Sequence, residues 1–318
     1  MMFSFQLQEK VLTRRAESMN VLFTLTKRNV KLFFKDKGMF FTSLITPAIL
    51  LVLYVTFLGN LYRDTFLSNI PDGFAISDGI LNGLVGGQLV SSILAVSCIT
   101  VAFCSNFLMV QDKANGTYKD LTISPVKSHM LSLSYYIATL ISTILICASA
   151  LIICLIYLAF AGWYLSAADV VLLFIDVFLL SFLGTAISSV INFFLSTQGQ
   201  ISAVGTIISA GYGFICGAYM PIYSFGDGLQ RVVSLLPGTY GTSLLRNHAM
   251  RGVFSEMLNT GVPNEAVEEM LNSVDCNIFF FGNKVEISSM YIFISVTVVA
   301  LVGIYILLNA VKSKRASK

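Results

Sequence analysis

The side chains able to do chemistry in this chain are few and scattered. Its only two histidines, His129 and His248, have no second ligand-type residue at metal-binding spacing. The charge pattern puts them on opposite sides of a membrane, so no metal site and no Ser/His/Asp or Cys/His catalytic set is expected. The phosphate-cradling pattern G-x-x-x-x-G-K-[ST] does not occur, so no ATP site of that kind is expected in this chain. Five cysteines (Cys98, Cys104, Cys147, Cys154, Cys216) lie in apolar runs, where cysteine acts as a small hydrophobe, and Cys276 stands apart from them. These residues exclude an enzyme and a disulfide framework. One acid does interrupt an apolar run: Asp176, about seven residues or roughly 10 Å into its segment. A charged Asp at the centre of a membrane helix costs about 2.5–3.5 kcal/mol and less near an interface. No basic residue shares the apolar runs, so its expected partners are Ser, Thr, Asn or backbone. Its expected role is structural hydrogen bonding, a place in a translocation path, or proton coupling.

The elements that carry these residues follow from hydropathy. Hydrophobic residues make up 56% and charged residues 12%, with a mean hydropathy of +0.79, which excludes a soluble globular chain. Six apolar stretches stand out: 39–59, 84–110, 131–160, 169–195, 201–219 and 288–310. Each approaches or exceeds the about 20 residues a helix needs to cross a bilayer. All 20 Lys and Arg fall outside them. Fifteen gather on one side: eight before the first stretch, three after the second (Lys113, Lys119, Lys127) and four in the tail. Arg63, Arg231, Arg246, Arg251 and Lys284 stand opposite. Basic flanks stay cytoplasmic, so both termini are expected in the cytoplasm of a cell of plasma-membrane location. The fold expected is all-α and polytopic, with six transmembrane helices in one unit spanning 39–310, a leader 1–38 and a basic tail 311–318. A net charge of +3 is too small to suggest nucleic acid. The first apolar run lies behind a long polar leader and is read as a retained span, not a signal peptide.

Between the spans lie the surfaces. Residues 20–37 form an amphipathic helix, with Leu22, Leu25, Asn29, Leu32 and Phe33 on one face and Lys27, Arg28, Lys31 and Lys35 opposite. That is the pattern of a helix in the membrane interface, and it makes either a topological anchor or a lever touching a partner. A loop, 111–130, contains a charged span end (Asp112), a Gly116-Thr117 break, an amphipathic piece Tyr118–Ile123 with Lys119, Asp120 and Leu121, and a turn at Ser124-Pro125. This is a short helix held across the membrane surface between two long ones. Gly205, Ser209, Gly213 and Gly217 recur every four residues, which permits close helix approach or a smooth path wall. In the outer region 220–287, the first part is punctuated by Pro221, Gly226, Gly228, Pro237, Gly238 and Gly241 and suits short helices dipping into the outer leaflet. The part from Gly252 to Lys284 is more polar, with a short helix starting at Pro263-Asn264.

The Gln111–Val126 loop resembles that of the membrane subunits of type-2 ABC exporters of drugs, peptides and polysaccharides. Thr26-Lys27-Arg28-Asn29 through Phe34-Lys35-Asp36 to Pro47 is similar to the family's connecting helix and first span. Gly217–Ile222 followed by Leu235–Tyr240 is similar to its outer re-entrant segment. The resemblance implies a permease subunit of an ATP-driven exporter, paired with a second permease chain of the same or homologous sequence, in a bacterial membrane. It implies no cofactor in this chain, with ATP-Mg held by a separate ABC ATP-binding subunit that pushes on Tyr118–Ile123 and on the basic helix, Asp120 and Leu121 being the expected contacts. Apolar spans suggest an amphiphilic drug, antibiotic peptide or lipid-like cargo. The alternatives are a polysaccharide or lipid-linked glycan permease and a secondary transporter without an ATPase.

Overall fold

The computed structural model describes residues 2–71, 74, 76–124, 126 and 128–316, with side chains from Met19 to Lys312. The turn expected at Ser124-Pro125 therefore falls partly outside the described residues, as do Lys127 and Lys318. In chain order the helices are α1 (Met2–Lys35), α2 (Lys37–Leu53), a π-helical turn Tyr54–Leu58, α3 (Gly59–Ser68), α4 (Asp78–Ala114), α5 (Thr117–Ile123), α6 (Ser128–Ala161), α7 (Ala167–Phe194), α8 (Gln198–Ile215), α9 (Asp227–Val233), α10 (Pro237–Asn259), α11 (Asn264–Ser273) and α12 (Ile287–Ala316). A two-stranded hairpin, β1 (Phe279–Phe280) and β2 (Asn283–Lys284), precedes α12.

Among the described residues, five helical stretches are long and apolar enough to cross a membrane: Lys37–Ser68, Asp78–Ala114, Ser128–Ala161, Ala167–Phe194 and Ile287–Lys312. The fifth expected span is represented by α8, which has only 18 residues. It starts at a capping box in which Thr197 and Gln200 satisfy each other's backbone. It stops early because Gly217, at φ 75°, adopts the left-handed conformation. There Ala218 N–H donates to Gly213 O and Gly217 N–H to Phe214 O, closing a Schellman motif. Gly217 thus belongs to the turn after the helix, and the four-residue spacing of small residues runs only from Gly205 to Gly213.

The hub is α4, buried along most of its length, with α2, α6, α7, α8 and α10 around it. The amphipathic N-terminal helix starts earlier than its periodic pattern and ends at Asp36, whose Oδ1 accepts from Met39 N–H and opens α2. Its face of Leu25, Thr26, Asn29 and Phe33 is buried, and α1 packs on α6. Lys27, Lys31 and Lys35 stay exposed.

The boundary expected at Gly252 is not one. Helix α10 passes through it and runs antiparallel along α7, matching Gly241 with Leu180, His248 with Asp176 and Arg251 with Asp169. Gly252 is glycine because the Tyr164 carbonyl crosses there: a Cβ would stand 1.8 Å from that oxygen, with backbone on both sides and little freedom to yield. Gly252→Ala is expected to cost about 1–3 kcal/mol, as overpacking does, and to lower the melting temperature of the purified chain by several degrees. An unchanged melting temperature contradicts this contact.

Candidate functional site

Among the described residues, four places bring polar side chains together. At the end carrying α5, the last turn of α4 presents Asp112, buried among its partners. Its Oδ2 accepts from Arg28 Nη1 at 2.9 Å and from the Tyr135 hydroxyl at 2.5 Å, joining α1, α4 and α6. Beside it Asn29 Nδ2 donates to Ser134 Oγ at 3.3 Å. Burial opposes the Arg28 charge, but the Asp112 carboxylate outweighs it and holds the guanidinium above its ordinary range. The next residue, Lys113, sends Nζ to the carbonyls of Asn192, Phe193 and Leu195 at 2.9–3.0 Å, capping the orphan carbonyls at the end of α7.

The chain then turns at Gly116, φ 83°, a left-handed position that favours glycine although space around it is open. Helix α5 follows. Tyr118 faces inward, its ring stacked on Tyr135 with centroids 6.4 Å apart and Lys312 Nζ 5.2 Å from its own centroid. Leu121 is half-buried against the core. Lys119, Asp120, Thr122 and Ile123 point out, and Ile123 is 84% exposed. The outward apolar side chain of α5 is thus Ile123, while Leu121, the residue expected in that role, holds α5 down. Asp112 and Arg28 lie within the station, and Lys27 and Lys31 lie on its surface.

A cleft runs between α2 and α8, both leaning on α4. Its half nearer α5, about 660 Å³, is lined by Thr42, Thr46, Ser202, Gly205, Thr206 and Gln111 among others. The other half, about 940 Å³, is lined by Leu53, Phe57, Leu61, Phe214, Tyr219, Met220 and Pro221 among others. The two share Ile49, Ser209 and Ala210 and so adjoin. Gly205 and Ser209 therefore line the cleft, whereas Gly213 lies under the Tyr219 ring, where a Cβ would come within 2.4 Å.

Farther from α5, Asp176 overturns the partners expected for it. His248 Nδ1 donates to Oδ2 at 2.6 Å, and the Tyr291 hydroxyl bonds Oδ1. The sequence reading put His248 in an outer piece of short helices; one long helix, α10, carries it against α7 instead. Arg246 was counted among the charges of the outer side but is fully buried. Its Nη1 donates to Asp275 Oδ2 at 2.9 Å and its Nη2 to Gly217 O. Asp275 also accepts from Ile222 N–H at 2.6 Å and Tyr223 N–H at 2.9 Å. Burial pushes the Asp275 pKa up, with Arg246 and those two N–H groups pulling against it.

The family model for ABC-2 type transporters matches residues 20–249. No curated protein matches the chain. The matched stretch begins inside α1, takes in the latch at Asp112, α5, both walls of the cleft and His248, and stops short of α11. On that coverage the chain, a multi-pass membrane protein, belongs to the ABC-2 type transporters, whose membrane subunits carry no ATPase site of their own and work with an ATP-binding subunit.

Proposed function

We propose that the chain is the permease of an ATP-driven exporter in which two permease chains pair with the α2–α8 cleft at their junction, and an ATP-binding subunit grips α5. The single observation carrying this reading is the build of α5: fastened on its inner side by Tyr118 and Leu121, it offers Asp120 and Ile123 outward. A push on it is transmitted through Asp112 to α1 and α6 and through Lys113 to α7. The basic residues around α5 and both chain ends support a cytoplasmic placement of that end, and the family resemblance supports a bacterial membrane. The sixth crossing is then α8 with the turn after it, and α9–α10 is the re-entrant outer piece, its polar backbone sheltered by α4 and α7.

The hydroxyl-lined inner half and apolar outer half of the cleft support an amphiphilic cargo (a drug, an antibiotic peptide or a lipid-like molecule) over a glycan. Asp176 is satisfied by His248 and Tyr291 and lies outside both halves of the cleft, which supports a positioning role over the proton relay that a secondary transporter needs. The test is co-purification with the ATP-binding subunit. Asp120→Arg with Ile123→Arg is expected to reduce recovery of that subunit by about tenfold or more, as loss of a central interface anchor does, while the permease keeps its melting temperature. Full recovery, or transport in vesicles without ATP, contradicts the reading.

A further inference from the structure

The β1–β2 hairpin presents Phe279, Phe280 and Phe281 in a row, 44%, 39% and 64% exposed. Its register pairs Phe280 with Asn283, leaving Phe281-Gly282 as a two-residue turn. Both have positive φ, 49° and 86°, which makes the turn type I′. Such turns favour Asn-Gly or Asp-Gly, and a bulky aromatic in the left-handed conformation is strained. The strain places the most exposed ring of the three at the tip. The base is fixed: Val285 N–H donates to Ile278 O at 2.8 Å, Lys284 Nζ to Glu268 at 2.8 Å, and Asn247 and Ser243 on α10 hold the Cys276 carbonyl.

The depth of this tip follows from the Tyr291–Asp176 bond. Asp176 lies nine residues into α7, about 14 Å along its axis, whereas Tyr291 lies only four residues into α12, about 6 Å. For helices along the membrane normal, α12 therefore begins about 8 Å deeper than α7. Three residue steps lead from Lys284 to Ile287, a reach of up to roughly 10 Å, enough to bring the hairpin to the level where α7 begins. Trp163, 48% exposed, marks that level beside the start of α7. Below the hairpin α12 exposes Ile292, Phe293 and Val296, as a lipid-facing helix does.

We propose that the Phe279–Phe281 tip inserts into the lipid leaflet at the end of the molecule opposite α5 and anchors α11 and the neighbouring turns to that surface. The occupant is lipid because the exposed rings come directly before the apolar, exposed helix α12 in the chain and lie at membrane-boundary depth, where aromatic rings partition. This rests on the register of α7 and α12 and not on the transport reading.

The test uses the full chain in phosphatidylcholine nanodiscs. Trp163→Phe removes the only tryptophan, and Phe281→Trp then reports the tip, with Phe280→Trp as a second reporter if the strained turn rejects indole. Brominated acyl chains are expected to quench the emission by about twofold or more, as for an interfacial indole, with a blue-shifted maximum and weak quenching by acrylamide. Strong acrylamide quenching without bromolipid quenching overturns the proposal in favour of water. Protection from both overturns it in favour of a protein contact, such as a second copy.

Discussion

Arg246→Met is expected to leave little folded permease. The substitution strips the guanidinium from Asp275 while that carboxylate stays 4% exposed and tied to Ile222 and Tyr223. Breaking one side of a buried ion pair costs about 3–5 kcal/mol, a large fraction of the about 5–15 kcal/mol that holds a typical domain. The Gly217 carbonyl loses its donor as well, so the end of α8 loosens together with the Ile222–Ser224 turn. Adding Asp275→Asn removes the stranded charge, and asparagine tolerates the left-handed φ of 55° at that position. The double variant is expected to recover at least part of the lost melting temperature and the monodisperse elution profile. A single variant that melts like the parent contradicts the pairing.

Asp112→Leu is the second large effect. Hydrogen bonds to a charged group contribute about 1.5–3 kcal/mol each, and the Arg28 bond is discounted because its side chain is 30% exposed. A net loss of roughly 3 kcal/mol is expected. Tyr135→Phe and Arg28→Met, which each remove one arm, are expected to cost about half of that or less. In a reconstituted complex, ATP hydrolysis is expected to continue while transport falls, because α5 no longer pulls on α1 and α6 together. Equal melting temperatures across the three variants contradict the latch; transport that keeps pace with hydrolysis contradicts its role in coupling.

Local signals carried much of the fold. Gly116-Thr117 after a charged span end was enough to read α5 nearly to the residue, and Pro263-Asn264 with the following glutamates marked the start of α11. Hydropathy located the long helices because each must satisfy its own backbone in lipid. What stayed hidden depends on which distant residues meet. Asp176 was expected to bond Ser, Thr, Asn or backbone because His248 lies 72 residues away, in a piece read as short outer helices. Gly252 looked like a divider because glycine for close approach and glycine for a break are the same letter. The hairpin went unread because Phe-Gly stands where Asn-Gly would announce a turn. At α5 the polar and apolar candidates were legible, but only packing separates Leu121, turned inward, from Ile123, turned out.

The π-turn at Tyr54–Leu58 stores one surplus residue in the wall of the cleft, between α2 and α3. Tightening that loop to ordinary α-helical winding advances the helix by about 1.5 Å and swivels all that lies beyond it by about 100°. Leu61 and Thr65, which face the apolar half, then turn away, and other side chains take their places. A stroke so small at one end thus repaints the lining at the other, with no bending of the rods between.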